Sequence, residues 1–523
     1  MKADLVLHNG TVITMEGKQH NALAIAGERI AWVGDKPESW IGPKTQVIDL
    51  KGAYVYPGFI DSHLHILLTG IFNGMLNLKN TRSKSEVVEK VKAEIKKIQP
   101  GEWLTGSGWE EDGWTEKKHP TAADLDAVAP NNPVVLIRAD THSIWVNSAA
   151  LKLAGIDHST PDPDGGKIYR DKKGHPTGML LDKAMYIVYN VFPKPDLEET
   201  IKITKHVLDE FLKIGITMVH NASTPLGELE AFQELAKRGE LNVRIYGMGV
   251  IPGECGEMLL KEGPQSYGPF LEMHCLKFFM DGALGSRGAA VLEQYEDDPG
   301  NRGLLFWSEE DLLPILKEAK KKNLQVAFHA IGDAANRRVI EAYEMTGVKG
   351  KRWRIEHAQL LDTEDVKRMV PQGIIAAMQP LHLIADMGWM EQRIGKTRVK
   401  GCAFCWRSLL DAGVKVAGGS DSPVVDPNPL LGMYAAITRK NLDGTPEGGW
   451  HPEQCVTQEE ALRMYTLDAA YAAFKEKDLG SIKVGKLADL VVLPENLLTC
   501  APAALLDMPV LYTIVNGKVV YSS

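Results

Sequence analysis

The sequence predicts an α/β protein: a (β/α)8 barrel of the TIM type that carries an inserted subdomain, together with a small β-sandwich domain built from both termini. Three observations predict it. Eight short apolar runs alternate with amphipathic stretches through the middle of the chain, as parallel strands do with their crossover helices. The first two of these runs lie too far apart for a single crossover. Both ends of the chain are dense in short strand-like runs separated by turn residues.

At the N-terminal end, Leu5-Val6-Leu7, Thr11-Val12-Ile13-Thr14, Leu23-Ala24-Ile25-Ala26, Ile30-Ala31-Trp32-Val33 and Val47-Ile48-Asp49-Leu50 are the strand candidates, with Asn9-Gly10, Glu16-Gly17 and Gly27-Glu28 as turns. At the C-terminal end, Ala488–Leu493 and Val510–Val515 are strands, and Asn516-Gly517 turns the chain into Lys518–Tyr521. Neither end has enough strands to close a core by itself. Residues 1–56 and 475–523 are therefore read as two parts of one β domain around a barrel at 57–474.

Barrel strands are expected at 54–63, 216–222, 242–250, 274–281, 324–331, 352–358, 373–380 and 414–421. Leu229–Lys237, Glu309–Lys322, Asp333–Met345 and Thr363–Val370 have the period of amphipathic helices. The gap after the first strand leaves about residues 80–190 as the insertion, which carries Trp103, Trp109, Trp114 and Trp145. These tryptophans suit either the core of the insertion or a wall of a substrate pocket.

Composition narrows the function. The chain has 523 residues, 44% hydrophobic and 24% charged, an ordinary soluble balance, and a net charge of −9. That charge argues against binding driven by nucleic-acid phosphates. No run approaches the roughly 18 apolar residues of a membrane span, and the N-terminus lacks the apolar core of a signal peptide. A cytoplasmic protein that contacts neither nucleic acid nor membrane is expected. Six cysteines in so long a chain make no disulfide framework, and Cys402-Ala403-Phe404-Cys405 reads as two partly buried thiols at a helix start.

Catalytic residues of such barrels sit at the C-terminal ends of strands, so the strand ends carry the functional argument. The first ends in His63 and His65, which are i, i+2 and share a face. The fourth holds Lys277 among apolar residues. The fifth ends in His329, the sixth in His357 and the eighth in Asp421. Four histidines and a carboxylate at one mouth suit one or two divalent ions, Zn²⁺ above all.

Gly58-Phe59-Ile60-Asp61-Ser62-His63-Leu64-His65, Lys277 with Asp281–Arg287, His329-Ala330-Ile331-Gly332-Asp333, Glu356-His357, Gly419–Pro423 and the tail Gly480–Leu490 together resemble the amidohydrolase superfamily. The resemblance spans essentially the whole chain and is closest to the amidohydrolase-3 branch, which includes N-substituted formamide deformylase. It implies that His63, His65 and Asp421 hold one metal and that His329 and His357 hold a second. It also implies that Lys277 bridges them as a carbamate; an ordinary barrel lysine paired with Asp281 is the alternative. The implied activity is hydrolysis of a non-peptide C–N bond, of amide or N-formyl type. A metal-activated hydroxide attacks, and Asp421 acts as general base and then acid. A cyclic amide, an ester or a phosphotriester is the alternative substrate for the same site, and a scaffold that has lost catalysis is a remote one. The partner is a small-molecule substrate, and assembly as a homodimer is open.

Five further residues are substrate-binding candidates. Trp109 and His142 lie in the insertion, and His382 follows the seventh strand. His220 ends the second strand, where a structural rim position is the other reading. Arg287 would either anchor an anion or pin its own loop to a carboxylate.

Overall fold

The computed structural model describes residues 2–111, 114, 119–139, 143–163 and 165–523. Two compact units emerge, one comprising everything up to Thr69 together with Leu197–Ser523, the other Gly70–Asp196. The inserted unit is thus wider at both ends than 80–190, and the terminal sheets belong to the same unit as the barrel.

The barrel strands are Phe59–Leu64 (β1), Ile216–Thr224 (β2), Arg244–Val250 (β3), Leu271–Phe279 (β4), Gln325–Ala330 (β5), Arg354–His357 (β6), Ile375–Met378 (β7) and Lys415–Gly418 (β8). They lie side by side in chain order, and every neighbouring pair from β1 to β8 is parallel. Helices follow where the apolar period placed them, among them Leu226–Arg238, Glu309–Lys321, Asp333–Thr346 and Thr363–Gln372. Ile60, Met218, Tyr246, Met248, Cys275, Ala327, Ile375 and Ala417 form an apolar plug inside the barrel.

β1 and β8 approach without a regular ladder. The Asp421 N–H donates to the His63 carbonyl at 2.6 Å, and the Ser420 N–H donates to Asp61 Oδ1 at 3.2 Å. A Cβ on Gly419 would lie 2.7 Å from the His63 nitrogen, so only glycine admits this approach.

The run 54–63 is two strands. Tyr54–Pro57 pairs with Leu490–Leu493 in a terminal sheet, and the chain enters the barrel at Gly58, where a Cβ would sit 2.3 Å from Thr217 Oγ1. The terminal sheets are one of four strands, including Leu5–His8 and Ala22–Ala26, and one of six, in which Thr11–Ile13 and Tyr54–Pro57 lie beside Leu490–Leu493, Tyr512–Val515 and Lys518–Ser522. Between them Leu5, Leu7, Leu23 and Ile25 of one sheet pack with Val12, Val55, Leu490, Val492 and Ile514 of the other. Arg244 on β3 holds Asp489 through two bonds of 2.7 and 3.0 Å, both side chains buried.

The inserted unit has its own six-stranded sheet. Trp109, Trp114 and Trp145 meet in its core at ring separations of 5.7–6.5 Å. Trp109 is fully buried and gives its N–H to the Leu136 carbonyl; Trp145 gives its own to Thr121. The core reading therefore describes both. Cys405 is buried, which pushes its thiol up to about 12 and leaves it unreactive. Among the described residues no helix is long and apolar enough to cross a membrane.

Because the shared core draws strands from both ends, deleting residues 484–523 should abolish folding. The expected product is insoluble protein without a cooperative melting transition, checked by calorimetry on whatever remains soluble. A native-like transition would show that the N-terminal strands close a core unaided.

Candidate metal centre

The mouth is built where three strands leave regular geometry. In β1 the register against β2 shifts between Asp61 and Leu64, which pair with Val219 and Asn221. That extra residue is a bulge, and bulges re-aim side chains. It explains how Ile60, in the barrel plug, and His63, three residues on, can both face inward when strict alternation forbids it. At the end of β6, His357 and Ala358 have φ of 72° and 46°; beyond β8, Asp421 has φ of 59°. Left-handed backbone at non-glycine residues costs about 1–3 kcal/mol each and collects at functional sites. The sequence reading had Asp421 ending its strand, but β8 stops at Gly418 and Asp421 lies on the turn after it.

Asp421 is the hub. Its Oδ1 lies 3.0 Å from His65 Nε2 and 3.4 Å from His63 Nε2, and its Oδ2 lies 3.8 Å from His382 Nε2. Burial opposes its charge, yet the bonds to His63 and His65 hold its carboxyl well below the ordinary value. The imidazoles form a continuous set. His63 is 5.6 Å from His65 and 4.9 Å from His357, and His357 is 4.6 Å from His329 and 6.1 Å from His382. Burial, with the positive Lys277 nearby, lowers His329 to about 3, and burial keeps His357 well below the usual imidazole value. Both are neutral, as metal-ligating histidines are.

The tautomers follow from the partners. A carboxylate only accepts, so His63 Nδ1 donates to Glu356 Oε2. Gln379 gives its amide nitrogen to the Ala377 carbonyl and turns Oε1 to His357 Nδ1 at 2.7 Å, so that nitrogen also donates. In the His357 ring Nε2 is left with its lone pair, whereas His63 Nε2 faces Asp421 Oδ1 at 3.4 Å. The His382 ring bonds the Ser420 carbonyl, and its buried Nε2 has no partner. His329 turns Nε2 to the Gly282 carbonyl at 3.4 Å, which leaves Nδ1 as its lone-pair nitrogen.

This donor set fits a divalent cation. Ligand atoms of His63, His65 and Asp421 lie within 4.8 Å of one another, and so do those of His357, His382 and Asp421. Imidazole nitrogen with carboxylate oxygen is the chemistry of Zn²⁺-type sites. The second grouping was not foreseen in full: the sequence placed His382 with the substrate and His329 with the metal. His329 stands beside His357 without joining a group of three among the described residues.

Lys277 sits on β4 with its Nζ 4.9 Å from the ring centre of Phe279. Burial lowers its pKa to about 8. It does not pair with Asp281. That carboxylate accepts from the backbone N–H groups of Ala290, Ile331 and Gly332 at 2.8–3.0 Å and so organises the loops after β4 and β5.

The fold, the bulge and the gathered donors can now be set beside known proteins. Residues 46–521 match the amidohydrolase family. The chain belongs to that family. YtcJ of Bacillus subtilis (strain 168) is 34% identical across all of this chain and 99% of its own length. N-substituted formamide deformylase of Arthrobacter pascens is 31% identical over 99% of this chain and 98% of its own. Among solved structures, a metal-dependent hydrolase from Pyrococcus horikoshii OT3 superimposes with a TM-score of 0.81 at 28% identity, covering 95% of this chain and 99% of that one. An amidohydrolase barrel with a divalent-metal site at its mouth accounts for the family, the fold and the donor set together.

Two other candidates on the barrel fall outside the cluster. His220 is buried deeper in the barrel, and its Nδ1 accepts from Arg354 Nη1 at 2.9 Å. Burial and that guanidinium hold it well below the imidazole value. Arg287 gives Nε and Nη2 to Asp297 at 3.0 and 2.9 Å, so it pins its loop. Trp109 is a core residue of the inserted unit, and His142 lies outside the described residues.

Sequence reasoning missed the layer beneath the ligands. Arg354 and Glu356 are both fully buried and paired, Nε to Oε1 at 2.7 Å and Nη2 to Oε2 at 3.0 Å. Arg354 also reaches the Ser62 carbonyl at 2.7 Å. Burial opposes the Glu356 charge, but Arg354 and His63 outweigh it and lower the group to about 2. Glu356 thus holds His63 in one tautomer and orientation, as a carboxylate behind a metal-bound histidine does. The signal was there in two charged residues, two apart, on one face of a strand otherwise closed to water.

Glu356→Gln should lower the melting temperature, because it leaves the Arg354 charge buried without its partner, and should weaken metal binding in the folded protein by about 10–100-fold. Competition titration against a zinc chelator checks it. Unchanged affinity would mean that His63 is held by packing alone.

Proposed function

We propose that this chain hydrolyses a non-peptide carbon–nitrogen bond of amide or N-formyl type in a small molecule. The observation that carries the reading is the position of Asp421, an ionised carboxylate shared between two sets of histidines at the barrel mouth. The similarity to N-substituted formamide deformylase along almost the full length of both chains supports the choice of bond.

His63, His65 and Asp421 would hold one cation; His357 with His329, or with His382, would hold a second, and zinc is the ion these donors favour. When bound, such a cation polarises a carbonyl and lowers the pKa of water. Lys277, lowered to about 8 by burial, has neutral amine available near neutral pH, which carbamate formation requires. Asp421 accepts the proton of the attacking water at a carboxylate oxygen and returns it to the departing nitrogen, which leaves poorly unless protonated. His382 presents its unpartnered Nε2 beside Asp421 and is placed to hydrogen-bond the substrate. Glu356, through His63, and Gln379, through His357, keep the imidazoles fixed while the proton moves.

Two measurements on one preparation test the reading. Elemental analysis of the purified protein should find one to two equivalents of a divalent transition metal, in line with the donor groups. Well under half an equivalent, with activity indifferent to chelators, would oppose it. Asp421→Asn, assayed on formamides, acyl amides, cyclic imides and esters at saturating zinc, should bind metal and yet lose about two to four orders of magnitude in turnover. Recovery to within about tenfold of the parent would place the proton transfer on another residue, His382 first.

A further inference from the structure

We infer that the substrate carries a cationic group, a protonated amine, and that Asp386 with Gln359 receives it. The inference deepens the proposed amide hydrolysis and rests on it.

Both residues stand beside the second candidate ligand group. Gln359 follows His357 by two residues, on the loop after β6. Its carbonyl accepts the Phe404 N–H at 2.9 Å, which fixes it there. Asp386 ends the short helix His382–Asp386, four residues after His382. Side chains four apart on a helix share a face, with Cβ atoms about 6 Å apart. His382 turns its Nε2 toward Asp421, so Asp386 leaves the same side of the helix, next along the mouth. The two candidates meet: Gln359 Nε2 donates to Asp386 Oδ2 at 2.5 Å.

The lack of a counter-charge sets Asp386 apart. Glu356 is matched by Arg354. Asp281 takes three backbone N–H groups, and Glu228 takes the Leu67 N–H and the Asn221 amide. Asp386 has one neutral donor, and no lysine, arginine or histidine among the described residues acts on it. Burial raises it to about 7 against the Gln359 bond. A carboxylate offers about four acceptor positions. Among the described residues Asp386 Oδ1 has no partner, and this half-buried side chain is not sealed from water. A carboxylate only accepts, so Gln359 presents its amide nitrogen to it and keeps Oε1 as a second acceptor alongside. Two neighbouring acceptors, one of them anionic and poorly hydrated, suit a group with several N–H donors and a positive charge. An ammonium has both, and its charge would favour the ionised form of Asp386.

The test uses two formamides of equal length, N-(3-aminopropyl)formamide and N-butylformamide, in which an ammonium replaces a methyl group. Zinc-loaded parent, Asp386→Asn and Asp386→Glu are compared, with metal content and melting temperature measured alongside. The parent should favour the aminopropyl compound in kcat/KM. Asp386→Asn should cut that preference by roughly 10–100-fold, chiefly through KM, as loss of a charged hydrogen bond does. Asp386→Glu, which keeps the charge on a longer arm, should fall between the two. Binding of butylammonium, followed by calorimetry without turnover, should weaken in Asp386→Asn by a similar factor.

A parent without preference for the aminopropyl compound would overturn the inference whether or not the variants fold. So would an Asp386→Asn ratio within about twofold of the parent's with butylammonium bound as before; Asp386 would then only tie the loops after β6 and β7, and amide hydrolysis would stand. If neither formamide is turned over but butylammonium binding depends on Asp386, the subsite is confirmed and the amide reading fails. If Asp386→Asn loses zinc, the carboxylate is itself a ligand, and the inference is wrong.

Discussion

Closing the barrel and assembling the site are one event in this protein. The contact that joins the last strand region to the first is the Asp421 N–H on the His63 carbonyl, and these same two residues supply donors to the first candidate ligand group. No regular ladder joins β1 and β8 in its place. The approach is steric as well as hydrogen-bonded: Gly419 lies against the His63 backbone, and Asp61 accepts from both His63 N–H and Ser420 N–H. A shift of either strand would separate the carboxylate from both histidines at once. That dependence also explains why Asp421 tolerates a left-handed backbone. A strain of about 1–3 kcal/mol is offset by a backbone bond, two side-chain contacts to imidazole and burial of the turn.

Beneath that contact lies a charged layer that makes it rigid. Arg354 and Glu356 are desolvated completely. Such a pair need not stabilise the fold, since desolvation can cancel the Coulomb gain. It does determine orientation. Arg354 is bonded to Glu356, to the Ser62 carbonyl and to His220, so it ties β6 to β1 and β2 through the barrel interior. Glu356 then has one direction left in which to accept, and that direction is His63. Breaking either member would leave the other charge buried and unpaired, which is far more costly than replacing both.

The barrel was legible in the sequence because parallel strands buried on both faces read as apolar runs, and crossover helices keep their period. Seven of the eight strand runs needed only small changes at their ends. The eighth, 54–63, merged two strands because Gly58, the point of transfer between sheets, leaves no mark in an apolar pattern. The positions of candidate residues at the barrel mouth were legible where the strand-end rule applies directly, as for His63, His329, His357 and Lys277. They were not legible where the chain departs from regular geometry. The i, i+2 spacing of His63 and His65 pointed to one face of a strand, but the bulge between Asp61 and Leu64 is what turns His63 inward, and His65 lies just beyond the strand end. His382, whose Nε2 approaches Asp421, follows β7 on a short helix, where no periodicity constrains direction. Trp109 looked like a pocket residue because tryptophan serves walls and cores equally, and only its buried N–H bond to Leu136 separates the two.

Several irregularities of this barrel meet at its mouth. The floor is apolar, although the β1–β2 and β3–β4 registers also shift there, between Ile216 and Met218 and between Gly247 and Met248. At the mouth the departures are the bulge in β1, the positive φ at His357 and Ala358, and the positive φ at Asp421, and each falls on or next to a proposed ligand. The apolar part supplies a stable frame, while these deviations turn three side chains toward one point. The second carboxylate at the mouth, Asp281, follows the same division. Three backbone N–H groups occupy it, so it builds the loops around the site. Burial lowers Lys277 to about 8 against the opposing pull of Glu356 and Asp421. The reactive character proposed for Lys277 thus originates in its desolvation, which outweighs the two carboxylates that act on it.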